Sequence, residues 1–205
     1  MKRHNLVTLG LVTLLACATQ ASQEQLAASI KEARSEATRA ADQLKTTLDS
    51  LTALTQQKEG DLRPAYNAFA AEIPKTDAAA AWTRSRVQWM ANDGQKYFAE
   101  WQKTITGIAN ESLRKKAQKR LDSVRGSYDK IAVSLKESGE KFKPFLSDLA
   151  DIQKILSTDI TAGGVKAVRG TVSSANWKYK AVSSTINDSL KEMDKMAKAL
   201  STETK

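Results

Sequence analysis

Between residues 113 and 156 the chain repeats its apolar side chains at alternating spacings of three and four. Leu113, Ala117, Leu121, Val124, Tyr128, Ile131, Leu135, Phe142, Phe145, Leu149, Ile152 and Leu156 follow one another, with Ser138 as the polar member of the series. On a helix of 3.6 residues per turn these positions form one continuous stripe. A stripe kept in heptad spacing for about six repeats buries itself against other long helices crossing at shallow angles, as in coiled coils and bundles. It leaves no room for strands, which need strict alternation, and alternation never lasts more than a few residues anywhere in this chain.

Three further stripes have the same character. Leu26, Ile30, Ala33, Ala37, Ala40, Leu44, Leu48 and Leu51 mark a first helix, with Ser22-Gln23-Glu24-Gln25 as an opening capping box and Gly60 as its stop. A second segment opens at Asp61 with Leu62, Tyr66, Phe69 and Ile73. Pro74 is expected to interrupt it, with Thr76-Asp77 recapping the chain. Val87, Met90, Gly94, Phe98, Trp101, Ile105 and Ile108 continue that stripe. Asn110 caps the third helix, and Pro144 inside it predicts a kink rather than an end. Residues 159–164 make the last turn, and Val165, Val168, Val172, Ala175, Tyr179, Val182, Ile186, Met193, Met196 and Leu200 form the fourth stripe. Only 9 Gly and 3 Pro occur in 205 residues, too few for the frequent tight turns of a β-sandwich or barrel. The expected fold is all-α: an elongated antiparallel up-down helical bundle of four long helices. The alternative is a three-helix coiled-coil bundle with residues 61–75 as a bent linker.

The N-terminus reads as an address. Lys2-Arg3-His4 precedes an apolar run over residues 6–16, too short to span a bilayer but of the length and flanks of a secretory signal peptide. The run ends Leu14-Leu15-Ala16-Cys17, which resembles the lipobox of bacterial lipoproteins. That resemblance implies cleavage after residue 16 and acylation of Cys17, the one cysteine of the chain, with residues 17–21 as lipidated end and tether and 22–205 as a single helical domain. Ala18 and Thr19, rather than an aspartate, follow it, which by resemblance to enteric sorting rules favours the outer membrane, facing the periplasm. A plain signal peptide cleaved near Ala18 or Ala21, releasing a soluble periplasmic protein, is the alternative. Loss of residues 1–16 removes Lys2 and Arg3 and no acid, lowering the net charge from +9 to +7. In an exported protein that excess points to lipid head groups or anionic envelope polymers rather than to nucleic acid.

Little in the chain suggests catalysis. The single His is residue 4, inside the expected leader, and no Gly-x-Ser-x-Gly turn, Glu-x-x-His pair or phosphate-cradling Gly-Lys-Ser/Thr motif occurs. No enzyme activity, cofactor or metal is expected. Two constellations remain. Trp82 and Trp89 stand seven residues apart, off the Val87, Met90 and Phe98 stripe, with Trp101 and Trp177 elsewhere. A wide four-helix core is the favoured account of them; a surface strip that stacks on glycan or docks a partner helix is the other. Arg114, Lys115, Lys116, Lys119, Arg120 and Arg125 crowd the start of the third helix, where cations oppose the helix dipole and Glu111 offsets only part of the charge. An up-down topology returns this cluster, with Lys191, Lys195, Lys198 and Lys205, to the end that carries Cys17. Arg114, Lys115, Lys116, Lys119 and Arg120 are therefore the candidate contact with an anionic surface, and pairing with Glu192 and Asp194 on a solvated face is the competing account.

A family resemblance accompanies these readings. Gly60-Asp61-Leu62, Tyr66-Asn67, the alanine run 78–81, Phe98-Ala99-Glu100-Trp101 and Asn110-Glu111-Ser112-Leu113-Arg114 occur in an order and spacing similar to the bacterial DUF2959 family of unknown function. Tyr128 and Lys141-Phe142-Lys143-Pro144-Phe145-Leu146 fit it as well. The resemblance implies a secreted, mostly helical protein of coiled-coil character, and carries no catalytic residue, cofactor or partner with it. Gly163-Gly164 departs from the family picture, where a better helix former is expected. The functional expectation is a lipid-anchored envelope protein acting as an interaction or scaffolding bundle. The alternative is a direct binder of anionic lipid or envelope polymer through its basic end, and self-association through exposed heptad residues is the third possibility.

Overall fold

A computed structural model describes residues 5–201, with side chains from Gln20 onward. It contains four helices, α1 (Asn5–Gln56), α2 (Arg63–Thr106), α3 (Glu111–Thr158) and α4 (Ala162–Leu200), and no strand among the described residues. The fold is an all-α four-helix bundle, as the stripes require. The three-helix alternative fails because residues 63–75 belong to α2 and are not a linker.

α2 also passes through Pro74 without a break. A proline inside a helix costs about 3 kcal/mol, since it removes one hydrogen bond and crowds the preceding turn. Burial on either side offsets that cost: Phe69 and Thr76 are almost wholly enclosed. Thr76 meets Thr47 of α1 through a 2.6 Å hydroxyl pair. Thr76-Asp77 is therefore helix interior, not a cap. Ser22 is not a cap either, because α1 begins far upstream and Ser22 is a buried position within it.

The turns follow the sequence more closely. α1 ends at Gln56, short of the stop expected at Gly60. Gly60 instead turns the loop with φ +87°, the left-handed region that glycine tolerates, and the Gln57 amide ties that loop by donating to the Glu59 and Asp61 carbonyls at 3.1 Å each. The Asp61 carboxylate accepts from the Arg63 N–H at 3.0 Å, opening α2. Asn110 caps α3, its Oδ1 accepting from the Leu113 N–H at 3.0 Å. Such a cap contributes about 1 kcal/mol. The last turn is shorter than the sequence suggests. Thr161 caps α4 by accepting from the Gly164 N–H at 3.2 Å, so Gly163 and Gly164 lie in the first helical turn.

The chain forms two compact units, to each of which all four helices contribute: Met1–Arg34, Arg86–Ala132 and Lys191–Lys205 make the first, and Ser35–Ser85 with Val133–Leu190 make the second. In the second unit Leu44, Leu51, Leu54 and Phe69 pack with Phe145, Leu149, Ile152, Leu156, Val168 and Val182. Each such side chain stabilises by roughly 1.5–3 kcal/mol when fully buried. Polar contacts cross this unit too. Ser134 and Ser189 share a 2.7 Å hydroxyl pair, Lys141 donates to Thr185 Oγ1 at 2.8 Å, and Lys178 reaches both Asp148 oxygens at 2.8 Å. Lys75 and Gln43 both donate to Glu72, at 2.7 and 2.8 Å, and hold its carboxyl below the usual range.

In the first unit Leu26, Ile30, Met90, Leu121, Val124, Ile131, Met193 and Met196 are buried. Tyr97, Phe98 and Tyr128 join them as an aromatic cluster with Trp101, Phe98 lying edge-on to Tyr128 at 5.3 Å. The Tyr128 hydroxyl donates to the Met90 carbonyl at 2.9 Å, and its ring fills the notch left by Gly94. Burial, reinforced by Asp129 and Asp93, pushes this phenol up to about 12. An unfolded tyrosine ionises near 10, so the folded state is fully favoured below about pH 10 and loses this contribution as pH climbs towards 12. Stability is expected to fall by up to ~1.4 kcal/mol per pH unit across that window on account of this group. Denaturant titrations should show the slope reduced in Tyr128→Phe, with a remainder from Tyr97, whose phenol burial also raises.

Leu113 is the member of the α3 stripe that the fold leaves out, at 56% exposure in the first turn of the helix. Gly126, Gly139 and Gly170 make no close helix approach, since a Cβ at any of them would meet nothing within 4 Å.

Candidate anionic-surface site

The candidate site is the start of α3, in the first unit. α2 ends at Thr106 in a tightened turn, with Gly107 N–H on the Thr104 carbonyl and Ile108 N–H on that of Ile105, and Asn110 starts α3 four residues later. Arg114, Lys115, Lys116, Lys119 and Arg120 are all exposed. Leu121, Val124 and Tyr128 turn the opposite face of the helix into the core. Lys115 with Lys119, and Lys116 with Arg120, are like-charged pairs one turn apart, each destabilising the helix by a few tenths of a kcal/mol. Their position at the positive end of the helix dipole adds to that cost.

Counter-charges are sparse. Lys115 pairs with Glu111 at 2.7 Å, and the Arg114 guanidinium donates to the Ile108 carbonyl at 3.3 Å. Lys116, Lys119 and Arg120 make no ion pair among the described residues. Arg125 is set apart from the other five, its guanidinium lying 5.1 Å from the centre of the Phe98 ring. Glu192 and Asp194 do not neutralise the cluster: Glu192 takes Lys195 at 2.6 Å and Asp194 takes Arg34 of α1 at 2.6 Å. The imbalance extends beyond the cluster. The first unit carries 18 basic against 10 acidic side chains, the second 14 against 13, so nearly all of the chain's positive excess belongs to the first.

Contacts within the first unit set its register. Gln25 meets Asp93 at 2.7 Å, Glu32 meets Arg86 at 2.7 Å, and Gln102 meets Gln118 at 2.9 Å. The Gln23 amide donates to the Leu200 carbonyl at 2.7 Å, so the end of α4 lies beside α1 at Gln23. The side chain of Cys17, the leader residues 1–4 and Lys205 lie outside the described residues.

The tryptophans are not core. In the first unit Trp89 is 52% exposed, with the Arg86 guanidinium 4.5 Å from its ring centre; in the second, Trp82 and Trp177 are 62% and 71% exposed. The wide-core account fails for these three, and only Trp101 packs among other rings. Helical phase carried the signal: Trp82 and Trp89 sit off the stripe that Met90 and Phe98 bury. Asp77, expected only as a cap, and Arg84, which the sequence analysis does not single out, are both exposed on α2 and make no ion pair among the described residues.

A cleft of about 240 Å³ between the α1–α2 and α3–α4 turns is lined by Lys58, Asp61, Arg63 and Thr161, with Arg63 and Asp61 3.5 Å apart. No group of three or more His, Cys, Asp or Glu placed to hold a metal occurs among the described residues, and none of the described helices is long and apolar enough to cross a membrane. No curated protein matches the chain. The profile of the family described as "Protein of unknown function (DUF2959)" matches residues 18–200, nearly the whole chain, and the protein belongs to that family.

Proposed function

We propose that the protein is an exported, lipid-anchored envelope protein that acts by contact rather than catalysis. In this reading Cys17 carries the acyl chains, and Arg114, Lys115, Lys116, Lys119 and Arg120 rest on anionic head groups. The observation that carries it is a cluster of five exposed cations kept at the unfavourable end of a helix with one acidic partner among the described residues. Stability alone selects against such an arrangement.

Register supports the pairing of anchor and cluster. Continuing the α1–α2 and α2–α3 alignments five residues upstream of Ser22 brings the α1 backbone at Cys17 level with Trp101, and through it with Lys119. Helix rise makes those five residues about 7.5 Å, shorter than an extended tether of the same length. Several acyl chains give stable anchoring where one is marginal, and basic side chains close to a charged surface contribute on the order of 1 kcal/mol each.

Two measurements test this. Labelled fatty acid should enter the wild-type chain and not Cys17→Ser; an unlabelled wild type removes the anchor. The full chain carrying Cys17→Ser should bind phosphatidylglycerol vesicles, not phosphatidylcholine vesicles, and lose binding steeply as salt rises. Changing the five cations to glutamine should weaken that binding on the order of 100-fold or more at low salt. Equal binding to both vesicles at every salt concentration removes the surface contact. Preferential displacement by a soluble polyanion would assign the same charges to an envelope polymer.

A further inference from the structure

The solvent face of α2 in the second unit has no partner among the described residues, and its chemistry specifies one. Pro74, Ala78, Ala81 and Ser85 run along the centre of this face, all exposed. Spaced by three and four, they form a smooth, uncharged strip that a second helix can approach closely. Trp82, 62% exposed, projects along one flank. Asp77 and Arg84 occupy the other flank, seven residues apart and hence on one line of the helix surface. Neither has an ion-pair partner among the described residues, and the Arg84 Nε contacts only the Ala80 carbonyl of its own helix, at 3.5 Å.

We infer that this face is a homodimer interface in which α2 packs antiparallel against α2 of a second copy, about a two-fold axis crossing between Ala80 and Ala81. Two-fold antiparallel packing brings each flank of one helix against the same flank of the other, with residue numbers at one level summing to a constant. With the axis at that point the constant is 161. Asp77 of each copy then stands level with Arg84 of the other, and two ion pairs form from side chains that have none in the monomer. On the opposite flank the two Trp82 rings meet three residues apart along the axis, within stacking reach. The Ala78 and Ala81 methyl groups of the two copies alternate along the seam and permit the close approach. An acid and a base placed symmetrically about a strip of small residues, with an aromatic on the far side, is a self-complementary pattern: each half of the face is the counterpart of the other half. The inference concerns the second unit and does not rest on the anchor or on the basic cluster.

Reversing charges tests the pairing directly, with the full chain carrying Cys17→Ser as the background. Sedimentation equilibrium should show a dimer whose dissociation constant rises by at least about tenfold in Asp77→Arg and in Arg84→Asp, because each variant sets like charges opposite one another twice. Mixing the two variants should restore dimers to the wild-type level, since every mixed pair again joins an acid to a base. The double variant Asp77→Arg/Arg84→Asp should also dimerise by itself. Oxidation of Ala81→Cys in the same background should give a disulfide-linked dimer, the two positions lying beside the axis. A monomeric parent chain at all concentrations overturns the inference, leaving the face to a different partner. A dimer indifferent to both reversals, or reversals that mixing fails to rescue, overturns the antiparallel pairing.

Discussion

Gly164→Ala is expected to destabilise the protein by about 2–4 kcal/mol, because the added methyl group meets backbone rather than a movable side chain. A Cβ at position 164 would lie 2.0 Å from the Asp159 carbonyl oxygen and 3.0 Å from the Asp159 Cγ. The obstacle is backbone, and it is held in place. The Asp159 N–H is bonded to the Ile155 carbonyl at 3.1 Å, the Asp159 carboxylate accepts from the Thr161 hydroxyl, and Thr161 in turn caps Gly164. Relief requires the α3–α4 turn to open, losing the cap, about 1 kcal/mol, on top of the 1–3 kcal/mol that overpacking costs. In a chain of this length the midpoint of thermal unfolding followed by circular dichroism should fall by on the order of 10 °C. Gly163→Ala is the control. Its Cβ would meet only the Thr161 hydroxyl, at 3.3 Å, and the midpoint should change by a few degrees at most. Gly170→Ala, facing open space, should raise stability by up to about 1 kcal/mol through helix propensity.

The second large effect is expected at Gly94. A methyl group there would lie 2.5 Å from Cζ and 2.6 Å from the hydroxyl oxygen of Tyr128, so the ring must leave its notch. Moving it breaks the buried hydrogen bond to the Met90 carbonyl and disturbs the edge contact with Phe98. Overpacking and the lost bond together predict about 2–3 kcal/mol for Gly94→Ala. A double-mutant cycle separates this from a general intolerance of α2. Tyr128→Leu vacates the space that the new methyl enters, so in that background Gly94→Ala should cost less than about 1 kcal/mol. Equal costs in both backgrounds would mean that the notch is not what holds the ring. Urea unfolding gives all four stabilities.

These two glycines also show where sequence reading succeeds and where it stops. The stripes were legible because apolar spacing is a local property: Leu121, Val124, Ile131, Phe145, Leu149 and Ile152 are buried as their three-and-four spacing requires. The cap at Asn110 and the left-handed turn at Gly60 were legible for the same reason, each needing only its own neighbours. At Pro74 the local penalty is real, and what overrides it is tertiary: the burial of Phe69 on the same helix and the contact of Thr76 with Thr47 of α1, 29 residues away in sequence. Gly163 and Gly164 looked like turn residues; their need for glycine arises from the returning Asp159 carbonyl, which composition does not reveal. The Ser22 capping box failed because nothing upstream of it breaks a helix. For the candidate site, the cluster of like charges on α3 was plain in the sequence, but its shortage of acidic partners was not. That depends on Glu192 and Asp194 being engaged by Lys195 and Arg34. Phase alone places Trp82 and Trp89 outside, against the pull that their size exerts towards a core position.

Repeating stripes create a hazard that the polar contacts of the second unit remove. Two helices matched every seven residues fit almost as well after sliding by one repeat, so hydrocarbon alone leaves several near-equal alignments. Lys178 and Asp148 break that degeneracy. Their side chains are only 25% and 13% exposed, and a slide of α4 by one repeat would set Thr171 or Thr185 against Asp148, replacing a charged partner with a hydroxyl at a cost of about 1–3 kcal/mol. The paired threonines of α1 and α2 act likewise on a smaller scale, since displacement would put Phe69 against Thr47, or Leu54 against Thr76, at about 1 kcal/mol for the forfeited bond. Like the teeth of a key, these few hydrophilic points favour one setting of the helices over the others that the hydrocarbon alone would accept.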